Sequence, residues 1–407
     1  SSSLSRHMIT WLFDNRSKHG YIPNLIKDLS IEPGSDAWYD LCINPPFSYE
    51  FRFLKYCILD KVPFRCSLVS GNYDSPAYYP VNLNFFDPEI DYFSLMEPDS
   101  LQQLKQGDFK FLFYYSEGDN VENSGIDKQL NYLITKHKIN PDNVIFVTAN
   151  AAIDGVGPYR FFPDDELYYR MLHLKNKEWV KDISLESRPY KFTYLNRADK
   201  VWRRVLASVL YDLGCLQDAQ FSYTGYKYET PSVDDDSLDN WQLSRSNLLE
   251  AYAAFSLNIP YTCDDLSVSE HNNHKYIHKP HFTDSYWQLI AETHFDQETV
   301  FLTEKTFKCI LNLQPFVIAG NSSSLKLLHH LGYKTFSHVI REKYDTIIDP
   351  QKRMQEVINC IYSLEQRNDE DQINIIKHVK ETLEHNQKLF LAPKVSRIQE
   401  LLNRLEY

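Results

Sequence analysis

The residues best suited to chemistry crowd into ETHFDQETVFLTEKTFK, positions 292–308. Glu292 closes an apolar run, and Thr303 is placed to cap a helix whose first turn holds Glu304 and Lys305. The start of a helix carries unpaired N–H groups and the positive end of its dipole, which suits phosphate. Lys305 and Lys308 are three residues apart and so share one helical face. A carboxylate beside them can accept from two adjacent ribose hydroxyls, as acidic residues do in dinucleotide folds. These are the parts needed to hold a nucleoside diphosphate. The same spacing also fits a capped surface helix, with Glu304 and Lys308 as an i,i+4 ion pair worth about 0.2–0.5 kcal/mol.

A second stretch, TYLNRADKVWRRVLASVLYDLG at 193–214, sets Asn196 at the end of an apolar run and Arg203 and Arg204 on the helix that follows. A planar guanidinium binds pairs of oxygens bidentately, as a diphosphate requires. Arg197, Lys200, Arg203 and Arg204 could equally form a solvated face. The run LIAETHFDQETVFLTEKTFKCILNLQPFVIAG, 289–320, resembles the signature of the α-1,3-fucosyltransferase family: a glutamate-ended strand, a T-E-K helix start, a helix and a P-strand-G segment. The 193–214 stretch is similar to that family's strand, Asn and Arg-bearing helix, although Asn and Arg are spaced slightly differently, so either arginine could correspond. The resemblance covers the donor-binding half and implies a GT-B glycosyltransferase. In it Glu304 would hold the nucleotide ribose, Lys305 the phosphates with Arg203 or Arg204 as partner, and Glu292 would lie near the donor sugar. FSYTG at 221–225 falls where the family has a glycine-bearing loop near the base.

Displacing a nucleoside diphosphate from an anomeric carbon requires a base to deprotonate the acceptor hydroxyl. The family places a glutamate just after a strand of its first domain. FLFYYSEGDN, 111–120, offers Glu117 in a comparable place without the following Ser-Pro. Asp119 also fits, as does Asp154 after VIFVT; as turn residues, all three could instead cap backbone N–H groups. His271, His274, His278 and His281 lie in HNNHKYIHKPH, where such crowding can bind zinc. No cysteine is interleaved and no HExxH is present, so this reads as a solvated loop, and no metal is expected. Ser322, Ser323 and Ser324 could bind sugar or phosphate, and ordinary N-capping explains them equally well. P-loop, dinucleotide and nucleophile-elbow motifs are absent.

Positioning these groups requires an alternating α/β chain. Residues 108–115 (DFKFLFYY) read as a strand, 127–138 as a helix and 144–148 (VIFVT) as a strand, a βαβ unit that implies a parallel sheet. After Arg188-Pro189 the alternation restarts: strand 191–195, helix 199–213, an acidic loop at 231–239, helix 248–255, strand 286–291, helix 304–313, strand 315–319 and helix 322–330. Helices 352–365 and 371–407 follow. The expected fold class is α/β, with two doubly wound Rossmann-like domains facing a cleft (GT-B) and C-terminal helices. Ser1–His7 reads as a tag remnant, 8–188 as an acceptor-binding domain, 189–370 as a nucleotide-sugar-binding domain and 371–407 as a helical segment crossing back. Ligands in such sheets bind beyond the carboxyl ends of the strands.

Composition bounds the function. Forty-three Lys+Arg against 55 Asp+Glu give a net charge of −12, which argues against bulk nucleic-acid binding but leaves a local basic cleft open. Seven scattered cysteines without CxxC read as free thiols of a soluble, cytoplasmic protein, and no run is long and apolar enough for a membrane span. The 14% of aromatic residues fits a Tyr/Phe-rich core, or platforms that stack on sugars or bases. The expected activity is transfer of a sugar from a nucleoside diphosphate sugar to an acceptor glycan or other hydroxyl, inverting if the resemblance extends to mechanism. No cofactor is expected. The alternatives are glycosylation of a modified DNA base and noncatalytic nucleotide or sugar binding.

Overall fold

The computed structural model describes residues 9–14, 52–83, 86–226, 238, 241–243, 247–266 and 276–405. His271, His274 and most of the acidic stretch 231–239 lie outside them. The chain forms two compact units, Ser1–Lys175 with Lys394–Tyr407, and Asn176–Pro393.

The first unit contains β1 (Ile9–Phe13), α1 (Arg52–Leu59), β2 (Phe64–Leu68), β3 (Ala77–Leu83), α2 (Pro98–Gln106), β4 (Lys110–Tyr115), α3 (Ile126–His137), β5 (Val144–Thr148), β6 (Tyr159–Phe161) and α4 (Asp164–Asn176). Its described strands form a parallel sheet in the order β2-β1-β3-β4-β5-β6. A parallel sheet is covered on both faces, so its strands are near-continuous apolar runs. The whole of VIFVT in β5 is buried. One face packs Trp11, Tyr114, Phe162 and Leu167, and the other packs Leu12, Phe111, Phe113 and Phe146. The Phe113 and Phe146 rings stack with centroids 5.5 Å apart, so much of the aromatic content here is core.

The second unit runs β7 (Tyr190–Ala198), α5 (Val201–Asp212), β8 (Ala219–Tyr226), α6 (Leu248–Ser256), α7 (Pro280–Thr283), β9 (Ser285–Ala291), α8 (Glu304–Leu311), β10 (Phe316–Ala319), α9 (Ser324–His330), α10 (Pro350–Glu365) and α11 (Asp369–Leu391). Its described strands pair in parallel in the order β10-β9-β7-β8. The chain winds from β7 to one side and returns to the other, so the order reverses between β7 and β9. That reversal opens a crevice at the carboxyl ends of the two strands, where doubly wound sheets bind ligands.

Three features depart from expectation. The seam falls after Lys175 rather than at Pro189. Hydrogen bonds tie the intervening residues to the second unit: Val180 N donates to Asn312 Oδ1 at 3.1 Å, and Gln387 Nε2 donates to Val180 O at 2.8 Å. Residues 371–407 are not one helical segment, because the chain breaks after α11 at Ala392, which sits at φ −138° ahead of Pro393. The last helix, α12 (Arg397–Leu405), sends Ile398, Leu401, Leu402 and Leu405 into the core of the first unit. Finally, residues 221–225 belong to strand β8 rather than to a loop. Only Gly225, near its end, has a positive φ.

Candidate functional site

At the β7/β9 crevice the second unit builds a rigid frame around two side chains. Glu292, directly after β9, is 1% exposed. Its Oε1 accepts from Thr303 N at 3.2 Å and Thr306 Oγ1 at 2.8 Å, while its Oε2 accepts from Thr303 Oγ1 at 2.7 Å and Thr293 N at 3.3 Å. One carboxylate thus pins the N-terminus of α8 to the end of β9. Gly320 keeps this packing possible: a Cβ there would lie 3.1 Å from Glu292 Cβ. The second side chain is Arg203, on α5. Its Nη2 donates to Ala291 O at 3.1 Å and Glu292 O at 2.8 Å, and its Nη1 to Ala198 O at 3.3 Å. Burial holds the Arg203 guanidinium below its usual pKa, against the opposing pull of Tyr194, Tyr223, Glu292 and Glu304. Lys200 Nζ donates to Thr293 O at 2.6 Å.

On that frame stand Glu304 and Lys305. Thr303 caps α8 by accepting from Lys305 N. Lys305 Nζ lies 3.2 Å from Thr303 Oγ1 and 3.3 Å from Glu304 Oε1, and both side chains remain partly exposed, at 33% and 18%. Burial also holds the Lys308 ammonium below its usual pKa, although neighbouring Glu304 opposes the shift. Arg197 lies over the Tyr226 ring at 5.3 Å and within the field of Glu304. Asn196 is buried near the end of β7, with its amide beside the Tyr194 hydroxyl. Arg197, Lys305 and Lys308 all lie in the field of Glu304, so this corner of the crevice suits an anion.

The structure separates the two candidate arginines. Arg204 turns away to Asp199, with Nε donating to Oδ1 at 3.0 Å and Nη2 bonded to Oδ2, and it lies over the Tyr252 ring. Asp199 also accepts from Tyr223 OH at 2.7 Å. The Ser322–Ser324 segment leads into α9, whose first N–H groups are taken by a carboxylate that sequence reading missed. Asp345 Oδ1 accepts from Leu325 N at 2.8 Å and Oδ2 from Lys326 N at 3.1 Å. Arg353, also missed, donates to the carbonyls of Gly320, Ile347, Ile348 and Phe295 and so secures the loops beside the crevice.

In the first unit, Glu117 follows β4 with an exposed side chain, and its carbonyl accepts from Ala149 N at 3.1 Å. Asp119 is half-buried and accepts from the Tyr115 hydroxyl. Burial, with Asp119 adding to it, pushes that phenol well above its usual pKa. Asp154 is a turn carboxylate, accepting from Arg404 Nη1 and Phe161 N at 2.7 and 2.8 Å. A further carboxylate, Asp14, lies buried directly after β1, at this sheet's own β1/β3 reversal. It accepts from Glu97 N at 2.8 Å and Tyr79 OH at 3.3 Å. An aspartate directly after the apolar run ITWLF was the signal for it.

No protein-family model and no curated protein matches the chain. Among solved structures, the crystal structure of an α1,3-fucosyltransferase is similar to 98% of this chain and 93% of its own, with 9% identity and a TM-score of 0.35. It bears the name of the family that residues 289–320 resemble. A TarM mutant of S. aureus, in complex with fondaparinux, α-GlcNAc-glycerol and UDP, is similar over 75% of this chain and 57% of its own, with 10% identity and a TM-score of 0.32. At such TM-scores neither likeness bears on function. No helix among the described residues is long and apolar enough to cross a membrane.

Proposed function

We propose that this protein is a glycosyltransferase of GT-B type that moves a sugar from a nucleoside diphosphate sugar to an acceptor hydroxyl. The reading rests on one observation: Glu304 and Lys305 stand at the start of α8, at the β7/β9 reversal, on a frame locked by Glu292 and Arg203. In this reading the Glu304 carboxylate accepts from the ribose hydroxyls. Lys305 and the first N–H groups of α8 neutralise the diphosphate, and Lys308 adds to their field. Asn196 supplies an amide to the bound donor. Glu292 and Arg203, both engaged with the protein itself, act as positioning residues rather than as groups that touch the substrate. Arg204, held by Asp199, is left with the fold.

The reaction joins the acceptor oxygen to the anomeric carbon as the bond to the diphosphate breaks. The acceptor proton passes to a carboxylate, for which Glu117 and Asp119 are the candidates, and the positive groups stabilise the departing charge. Attack opposite the leaving group inverts the anomeric centre, which NMR of the product's anomeric proton reads directly. We place the activity in a reducing compartment, the cytoplasm, where the buried thiols Cys57, Cys215, Cys309 and Cys360 stay free.

The test is calorimetry and thermal shift with UDP, GDP, ADP, CMP and TDP, each with and without EDTA. A nucleotide at a hundred times its dissociation constant should stabilise the protein by about 2.7 kcal/mol. One nucleotide should stand out, by the same increment with or without chelator. No binding of any of them would overturn the reading.

A further inference from the structure

Apart from the crevice, the second unit brings together a thiol, a carboxylate and an imidazole. Cys263 and Asp264 follow α6, and His281 lies in α7 immediately before β9. The three ligand atoms lie within 4.8 Å of one another, with Cys263 Sγ 3.5 Å and His281 Nε2 2.7 Å from Asp264 Oδ2. We propose that they form a structural zinc site. With metal–sulfur bonds of about 2.3 Å and metal–nitrogen and metal–oxygen bonds of about 2.0–2.1 Å, tetrahedral ligands stand roughly 3.3–3.6 Å apart. The thiol and carboxylate already have that separation. The imidazole and carboxylate need to part by about half an ångström when the ion replaces the proton between them. Thiolate with imidazole selects zinc over calcium or magnesium, which take all-oxygen shells.

The ligands are held in place before any ion arrives. Asp264 Oδ1 accepts from Leu266 N at 3.0 Å, which turns Oδ2 toward the other two. His281 is 6% exposed; its N donates to His278 O at 3.0 Å, and its carbonyl accepts from Thr193 Oγ1 at 2.9 Å. Thr193 in turn contacts Ser285 Oγ at 2.7 Å, inside the sheet. Two residues before Cys263, Tyr261 exchanges both backbone hydrogen bonds with Tyr223 of β8 at 2.9 Å. Each ligand segment is therefore anchored to a strand, the oriented support that metal sites require. His278, whose ring centroid is 4.5 Å from that of His281, is the candidate fourth ligand. Thr193 and Ser285 precede the carboxyl ends of β7 and β9, so the ion would not share the nucleotide's place. It would clamp the segment after α6 to the turn that leads into β9, and its binding would release the thiol proton to solvent while the neutral imidazole carries its own proton on Nδ1. Sequence reading had weighed His278 and His281 only with His271 and His274, because Cys263 and Asp264 stand well upstream.

The experiment is titration of chelator-treated full-length protein with Co²⁺, followed by displacement with Zn²⁺. A single equivalent of Co²⁺ should produce a near-ultraviolet thiolate charge-transfer band and tetrahedral visible bands, which zinc then abolishes. Cys263→Ser should remove the charge-transfer band, and His281→Ala should weaken binding at least tenfold. Should either variant fail to fold, alkylation of wild-type Cys263, followed by peptide mass spectrometry, replaces it: zinc should slow the reaction at least tenfold. Absence of the Co²⁺ band at tens of micromolar, or equal alkylation with and without zinc, would overturn the proposal. Neither result touches the nucleotide increment, so this proposal and the transferase reading fail separately.

Discussion

Replacing Glu292 distinguishes a frame residue from a substrate-contacting one. In Glu292→Ala the acceptor vanishes for Thr303 N, Thr306 Oγ1, Thr303 Oγ1 and Thr293 N. Thr293 is half-buried and can turn to water, and the Thr303 hydroxyl can rotate. Thr303 N and Thr306 Oγ1 stay buried, and each unsatisfied donor costs about 1–3 kcal/mol. Arg203 also loses the nearby charge that supports its ionised form. The expected destabilisation is ~3–5 kcal/mol, at the upper end for a single substitution. For a unit of this size that lowers the melting temperature by about 6–20 °C. Glu292→Gln keeps one oxygen at the Oε1 position and should cost less, ~1–2 kcal/mol. Urea unfolding gives the free energies, and calorimetry on the same samples gives nucleotide affinity. A Glu292→Ala protein within 1 kcal/mol of wild type, yet devoid of turnover, would refute this reasoning and place Glu292 on the substrate.

Glu304→Ala and Lys305→Ala should each weaken nucleoside diphosphate binding at least tenfold by calorimetry, with unfolding midpoints close to wild type. Glu117→Gln should abolish transfer and spare donor binding; normal turnover would move the base to Asp119. Gly225→Ala places a Cβ 2.6 Å from Ile259 Cγ2 at φ +69°, so urea unfolding should show a loss of ~1–3 kcal/mol that Ile259→Ala partly restores. Burial alone would raise the Asp91 carboxyl, but hydrogen bonds from Lys136, His137 and Ser94 hold it well below the usual carboxylate range. A depressed folded pKa stabilises above the unfolded value of about 4 and is lost as pH falls toward the folded one. Asp91→Asn should therefore be less stable than wild type at pH 7 by ~1–2 kcal/mol, with the gap closing between about pH 5 and pH 2 in urea midpoints.

Where local pattern and tertiary role agree, the sequence was legible. VIFVT coincides with β5, and the apolar stripe of 127–138 lies on α3 within a residue of its ends. The Thr303 cap and the start of α8 were readable because capping is a local event. β3 was opaque because Pro80 interrupts AYYPVNL, and a residue without an N–H argues against a central strand. The tasks of Glu292 and Arg203 were hidden for a different reason. Glu292 receives hydrogen bonds from residues eleven and fourteen positions later, and Arg203 donates to carbonyls 88 and 89 positions away. Residue type says that such groups bind oxygen or N–H, but only the closed sheet says whose. Asp345 at the start of α9 is the same case, a capping carboxylate supplied from about twenty residues downstream.

The position of α12 bears on how the protein is made. Ile398, Leu401, Leu402 and Leu405 complete the apolar layer that includes Ile9, Trp11, Tyr56 and Tyr114. The unit built on β1–β6 therefore waits for Arg397–Leu405 to be translated, whereas Asn176–Pro393 has its whole core in continuous sequence. During synthesis the later unit can finish folding first, while the earlier one holds an uncovered apolar face and depends on chaperones or speed to avoid aggregation. A nonsense or frameshift lesion after Pro393 would then act as a solubility defect of the amino-terminal half, although every residue of that half is intact.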